Sequence, residues 1–146
     1  MNARTKTEPA MTKAEIEALL KAGFSDWPKA GLYLEDIKYR AVRVRKSIHD
    51  HELRPGGTVS GPTMFLVADT SFYVAVLASV GPEALAVTTN VSINFLRKPS
   101  PRDLIADCRL FKLGKRLAVG EVTIFSEGED EPVAHATGTY SIPPVQ

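Results

Sequence analysis

The stretch from Ser60 to Pro82, SGPTMFLVADTSFYVAVLASVGP, constrains this chain more than any other. Ser60 can accept a first-turn N–H as an N-cap, and Pro62 suits that turn because its missing N–H would have had no partner there. Gly81-Pro82 closes the segment. Between these marks Met64, Phe65, Leu66, Val67, Ala68, Phe72, Tyr73, Val74, Ala75, Val76, Leu77 and Ala78 leave no polar side. A helix running to about Val80 and apolar all round has to be surrounded. Asp69 is the only formally charged residue from Pro55 to Pro82. Near the centre of a membrane span it would cost about 2.5–3.5 kcal/mol on insertion scales. Residues 60–82 therefore predict a core helix and not a membrane span.

The neighbouring segments show what encloses it. AVTTNVSINFL alternates Val87, Thr89, Val91, Ile93 and Phe95 with Thr88, Asn90, Ser92, Asn94 and Leu96. LIADCRLFKL, RLAVGEVTIF and VAHATGTYSI follow, joined by RKPSPRD, the Gly114-Lys115 turn and the acidic SEGEDEP. Four consecutive strands with short connections pair most simply as an antiparallel sheet. Upstream, IKYRAVRVRKSI (37–48) reads as one strand, and FSDWPKAGLYLED (24–36) as an irregular connection. Thr12 and Glu15 suggest a capping box for a short helix with Ile16, Leu19 and Leu20 as its stripe, ended by Gly23. Residues 1–10 have little to bury and read as loose. The expected architecture is α+β: a curved antiparallel sheet wrapped around one long hydrophobic helix.

At 146 residues the chain suits a single domain, with 1–23 as a tail and short helix and 24–146 as the body. Its 18 Lys+Arg against 17 Asp+Glu give a net charge of +1, so no overall field calls for nucleic acid or a membrane surface. One cysteine, Cys108, excludes an internal disulfide and fits a reducing compartment. It alternates with apolar neighbours and reads as core. The N-terminus is too charged for a secretory signal, so cytoplasm is the expected location. His49-Asp50-His51-Glu52 has the look of a metal cluster but lacks a clear further ligand, and no metal site is expected. His135, in the last strand, reads as a structural histidine.

SGPTMFLVADTSF, TTNVSINFLRKP and LGKRLAVGEVTI together resemble the hotdog-fold acyl-CoA thioesterases, in particular their phenylacetyl-CoA thioesterase-like branch. The likeness covers about residues 38–142. In that branch the long helix opens on His-Gly-Gly, and an Asp about eight residues on carries the chemistry. Ser60-Gly61-Pro62 occupies the motif here, and Asp69 falls at the acid. Gly61 keeps the backbone N–H that serves the family as oxyanion donor. Ser60 stands for the motif His, Pro62 for its second Gly, and Arg54 for an upstream Asn; Pro62 has no N–H to give. The resemblance implies hydrolysis of acyl-CoA thioesters by a homodimer or dimer of dimers, with no cofactor beyond the CoA of the substrate. It also implies a hydroxyl role for Thr88 in orienting water or substrate, and a CoA path along the LGKR turn and the strand-end basic residues.

Asp69 can act as general base or as nucleophile, and the Gly61 N–H at a helix N-terminus can polarise a thioester carbonyl. Apolar surroundings should disfavour the ionised carboxylate and raise its basicity. CoA phosphates call for basic side chains, for which Arg97, Lys98, Lys115 and Arg116, with Arg102 and Lys112 nearby, are candidates. Ser60, Pro62, Arg54 and Asn90 complete the expected substrate contacts, although the polar face holding Thr88, Asn90, Ser92 and Asn94 serves equally as a wet or dimer-facing surface. On one helix Gly61 and Asp69 are about 12 Å apart along the axis, too far to meet one reacting group. Two antiparallel copies would bring Gly61 of one beside Asp69 of the other. Two other readings stay open: a non-catalytic acyl-CoA-binding dimer, and a hotdog dehydratase or hydratase, which would need a site histidine.

Overall fold

A computed structural model of the chain describes residues 8–83 and 85–144. In chain order the elements are α1 (Lys13–Gly23), a short 3-10 turn (Trp27–Lys29), β1 (Leu32–Lys38) and β2 (Ala41–Lys46). A second 3-10 turn (Asp50–Glu52) and the two-residue strands β3 (Leu53–Arg54) and β4 (Thr58–Val59) lead into α2 (Gly61–Val80). Then come β5 (Val87–Phe95), β6 (Leu104–Leu113), β7 (Leu117–Ser126) and β8 (Pro132–Ser141). The long strands form one six-stranded sheet in the order β1-β2-β6-β7-β8-β5, antiparallel at every pairing. It wraps α2, and this is the hotdog fold, of the α+β class.

α2 starts and stops where its sequence marks it. Ser60 caps the first turn from an extended backbone, its hydroxyl accepting the Thr63 N–H, and Gly81 ends the helix at φ 104°, a left-handed value that suits glycine. Phe72, Val74, Val76 and Leu77 are buried with Val44, Leu104, Val122 and Ile124 of the sheet. The buried hydroxyls of Ser71 and Ser79 donate back to the carbonyls of Val67 and Ala75, both at 2.7 Å, so neither is left unpaired. The helix is not enclosed on every side, however. Phe65 and Leu66 are about two-fifths exposed, at 40% and 42%, and Asp69 and Thr70 are half-buried. A stripe along its N-terminal half is left bare by the single chain.

Two upstream expectations are corrected. The segment 24–48 holds a hairpin, not a loop and one strand: β1 pairs with β2 from Leu32↔Lys46 to Lys38↔Ala41. The turn passes through Arg40 at φ 64°, a conformation that costs a non-glycine residue roughly 1–2 kcal/mol. Three bonds offset that cost. The Arg40 N–H donates to Ser79 Oγ at 3.0 Å, its Nε to the Leu110 carbonyl at 2.9 Å, and its carbonyl accepts the Leu110 N–H at 2.8 Å. At the N-terminus, residues 1–7 of the expected loose tail lie outside the described residues. Ala10 is tied down, donating its N–H to the Ala78 carbonyl at 2.7 Å, and Met11 is buried. α1 has its expected capping box at Thr12 and Glu15, and Ile16 and Leu20 join the same core.

Candidate active site

Asp69 sits midway along α2, where the helix passes the β5 end of the sheet. Its Oδ1 accepts two hydroxyls, from Thr88 of β5 at 2.7 Å and from Tyr140 of β8 at 2.8 Å. Tyr140 also donates to the Asp69 carbonyl at 3.0 Å. Thr88 and Tyr140 are directly opposed in the β5–β8 register, which is why both reach one oxygen. Burial pushes the Tyr140 hydroxyl well above its ordinary range; the Thr88 hydrogen bond opposes this, and the charge and acceptor of Asp69 add to it. Tyr140 is therefore a neutral donor. With Oδ1 doubly engaged, no bond to Oδ2 is found among the described residues.

The carboxylate is half-buried, with hydroxyls as well as apolar groups around it. It lies at the wall of a cavity of about 490 Å³, with Thr88 and Tyr140 beside it. The rest of that wall is largely apolar: Leu20 and Phe24 from α1 and its end, Trp27, Ala30 and Leu32 from the connection into β1, and Leu66 and Tyr73 from α2. Phe24 and Tyr73 meet edge to face, 5.6 Å between centroids. A cavity of this size, apolar with a few convergent polar groups at one side, suits a small organic group.

Gly61 opens a different cavity, of about 480 Å³, with Arg54, Thr58, Val59, Pro62, Met64, Phe95, Leu96, Arg97, Lys98 and Pro99. As the first residue of α2, Gly61 presents an N–H with no acceptor in its own helix. A Cβ there would stand 3.4 Å from the Phe95 ring, so the approach from β5 is close. The Ser60 hydroxyl accepts the Thr63 N–H at 3.4 Å and is hydrogen-bonded to the Thr63 hydroxyl at 2.9 Å. Of the expected substrate contacts, Arg54, Arg97, Lys98 and Pro62 are thus gathered with Gly61. Lys115 and Arg116 lie elsewhere, in the β6–β7 turn. The Arg116 carbonyl accepts the Ile142 N–H at 2.7 Å, and Leu117 pairs with Ser141, which pairs in turn with Val87. That end of the sheet is the Asp69 end.

Asn90 is not brought to Asp69. The register slips between Thr88 and Asn90, so that Thr88 opposes Tyr140 while Asn90 opposes Thr139. Adjacent residues of β8 face opposite ways, and so Thr88 and Asn90 do too. The single polar face read from strict alternation is broken by this bulge. Thr88 joins Val91 and Ile93 on the helix side, while Asn90, Ser92 and Asn94 share the outer face with Thr139, Thr137 and His135. His135 hydrogen bonds to Glu121 at 2.9 Å on that outer face. His49 and His51 stack at 5.7 Å, Glu52 is taken by Lys46, and no group of three possible metal ligands occurs among the described residues. Cys108 is buried, and burial, helped by Glu121, pushes its thiol up, leaving it a core residue. Tyr140 is the residue that sequence reasoning missed: its alternation places it on an inner face, but only the strand register places it at Asp69.

A six-stranded antiparallel sheet packed around one long apolar helix defines the hotdog class. The chain belongs to the thioesterase superfamily, whose family model matches residues 56–133. A candidate thioesterase of known structure from Silicibacter sp. TM1040 is 46% identical, with a TM-score of 0.86 over 96% of this chain and 97% of that one. A candidate esterase of Saccharolobus solfataricus is 26% identical over 136 residues, 92% of this chain and 87% of the relative. The PaaI protein of the E. coli phenylacetic acid degradation operon shares the fold, with a TM-score of 0.78 and 19% identity over 90% of this chain and 93% of that one.

Proposed function

We propose that the protein hydrolyses acyl-CoA thioesters as a homodimer with two composite sites. The observation that carries this reading is the Asp69 carboxylate, clamped at Oδ1 by Thr88 and Tyr140 and lying at an apolar cavity. The cavity takes the acyl group. Oδ2 either removes a proton from water, whose oxygen attacks the carbonyl carbon, or attacks that carbon itself to give an anhydride that water then opens. In both cases the C–S bond breaks, the CoA thiolate leaves and is protonated, and the acid is released. A carbonyl oxygen that gains charge in these steps needs fixed donors, and a helix N-terminal N–H supplies one without a metal.

That donor is the Gly61 N–H of a second copy. β5 is an edge strand with exposed apolar residues Val87 (56%) and Phe95 (52%), beside the bare Phe65 and Leu66 of α2. Its two ends bracket the chemistry: Thr88 touches Asp69, and the Phe95 ring lies against Gly61. Pairing β5 antiparallel with a copy of itself swaps those ends, laying Gly61 of one subunit towards Asp69 of the other. The same step joins the Lys115–Arg116 end of one subunit to the Arg54, Arg97 and Lys98 of its partner, along which the phosphates of CoA would lie. A dimer of dimers is compatible with this pairing, since the outer sheet face stays free.

Thiol release over a panel of acyl-CoAs, with the wild type beside Asp69→Asn, tests the reading. Turnover by the wild type and a loss of about 100-fold or more in kcat for the variant are expected. Binding of acyl-CoA without turnover in the wild type would instead make the protein a carrier, consistent with the loss of the motif His and second Gly at Ser60 and Pro62.

A further inference from the structure

Lys46 is the one charged residue in the buried set among the described residues, 1% exposed at the end of β2. Its ammonium donates to Glu52 Oε1 at 2.9 Å, lies 2.8 Å from Oε2, and donates to the Ser47 carbonyl at 2.7 Å. Glu52 Oε1 also accepts the His49 N–H at 2.9 Å, and the Glu52 carbonyl accepts the N–H of Ser60 at 2.9 Å. That last bond is the rung next to Leu53↔Val59 in the small β3–β4 hairpin. Ser60 is the cap of α2, and its neighbour is Gly61. The ion pair therefore sits at the root of the segment that aims the Gly61 N–H.

The same ammonium closes on Gly31. A Cβ at Gly31 would stand 3.2 Å from Lys46 Nζ and 3.2 Å from His49 Nε2, and its φ of +70° suits glycine. Ala30 and Leu32, on either side of Gly31, belong to the wall of the Asp69 cavity. A buried pair such as this one contributes little net stability, because desolvation consumes most of the attraction; an apolar replacement of similar volume is often neutral or stabilising. A buried pair that adds little stability fits a role in register. Burial pushes the Glu52 carboxyl up, but the Lys46 hydrogen bond, the His49 N–H and the Lys46 charge outweigh it and hold the group below its usual range.

We infer that Lys46, through Glu52, is a positioning residue that fixes the N-terminus of α2 against the sheet and so sets where the Gly61 N–H points. This rests on the thioesterase reading for its catalytic consequence, but not for the placement itself. The test compares wild type, Lys46→Met and the doubly apolar Lys46→Met/Glu52→Leu, which removes both charges and should keep the fold. Three readouts are taken: melting temperature, hydrogen exchange of residues 58–64, and kcat and KM for the best acyl-CoA. For the double variant we expect an unchanged or higher melting temperature, exchange in 58–64 faster by tenfold or more, and unchanged exchange in β7. A misplaced donor can cost up to about 100-fold, so kcat should fall roughly 10- to 100-fold with KM within about twofold. Unchanged exchange in 58–64, faster exchange throughout the sheet, or faster local exchange with an unaltered kcat would each overturn the inference. If the wild type turns over no acyl-CoA, the thioesterase reading fails on its own, and the exchange data alone decide whether Lys46 positions the helix.

Discussion

The two oxygens of the Asp69 carboxylate stand in different surroundings. Oδ1 accepts the Thr88 and Tyr140 hydroxyls, which fixes the side chain in orientation, and in the proposed mechanism Oδ2 is the atom that acts. Tyr140→Phe isolates that clamp, because the ring keeps its packing against Phe72 and Tyr73, each 6.3 Å away between centroids, while Asp69 loses one donor. A hydrogen bond to a charged group is worth about 1.5–3 kcal/mol, so kcat is expected to fall roughly 10- to 100-fold. KM should stay close to wild type, while the melting temperature should fall by a few degrees, because the buried hydroxyl also gives up its two bonds to the helix. Steady-state kinetics with thermal melting checks this, and an unchanged kcat would show that Thr88 alone is a sufficient anchor. At this scale the acid was legible because an unneutralised charge in an apolar helix demands a partner or a use. Its partners were not, since Tyr140 is 71 residues away in sequence and only the β5–β8 register joins them.

Among the elements, legibility followed the strength of local signals. α2 carries a cap, a first-turn proline and a terminal glycine, and its ends fall where those residues put them. The β1–β2 hairpin carries none of these. Its turn is Tyr39-Arg40, without Gly, Asn or Pro, and Arg40 is held left-handed by bonds to Ser79 and Leu110 that exist only once the chain has folded. The bulge after Thr88 is similarly silent in sequence, yet it decides which polar residues face the helix. Helix and sheet meet closely at Gly138, where an added Cβ would lie 2.6 Å from Phe72 Cε2. Phe72 is 1% exposed and has nowhere to turn. Gly138→Ala should therefore cost about 1–3 kcal/mol and lower the melting temperature by roughly 3–10 °C. At Gly114 an added Cβ would meet only the Leu117 carbonyl, at 3.7 Å, so Gly114→Ala should change stability by less than about 0.5 kcal/mol. Calorimetry on the two variants checks the pair, and equal melting temperatures would mean that α2 can shift away from the sheet at little cost.

For the whole molecule, the spacing of Gly61 and Asp69 leads to a claim about assembly. The two are fixed to one rigid helix about 12 Å apart along its axis, and a reacting carbonyl is only a few ångströms across. No side-chain motion closes that gap within one chain, whereas the proposed isologous twofold axis beside β5 would close it twice, once for each composite site. The consequence can be read in mixed dimers. Gly61→Val fills the space beside the Phe95 ring where the donor is approached, and Asp69→Asn removes the acid; each homodimer carries the same lesion in both sites. In a heterodimer of the two, one composite site collects both lesions while the other has an intact Gly61 and an intact Asp69. Heterodimers purified through two different tags should regain about half the wild-type kcat per dimer. Activity no higher than that of the parent homodimers would place both groups in one subunit's site, and the antiparallel pairing of β5 would have to be abandoned.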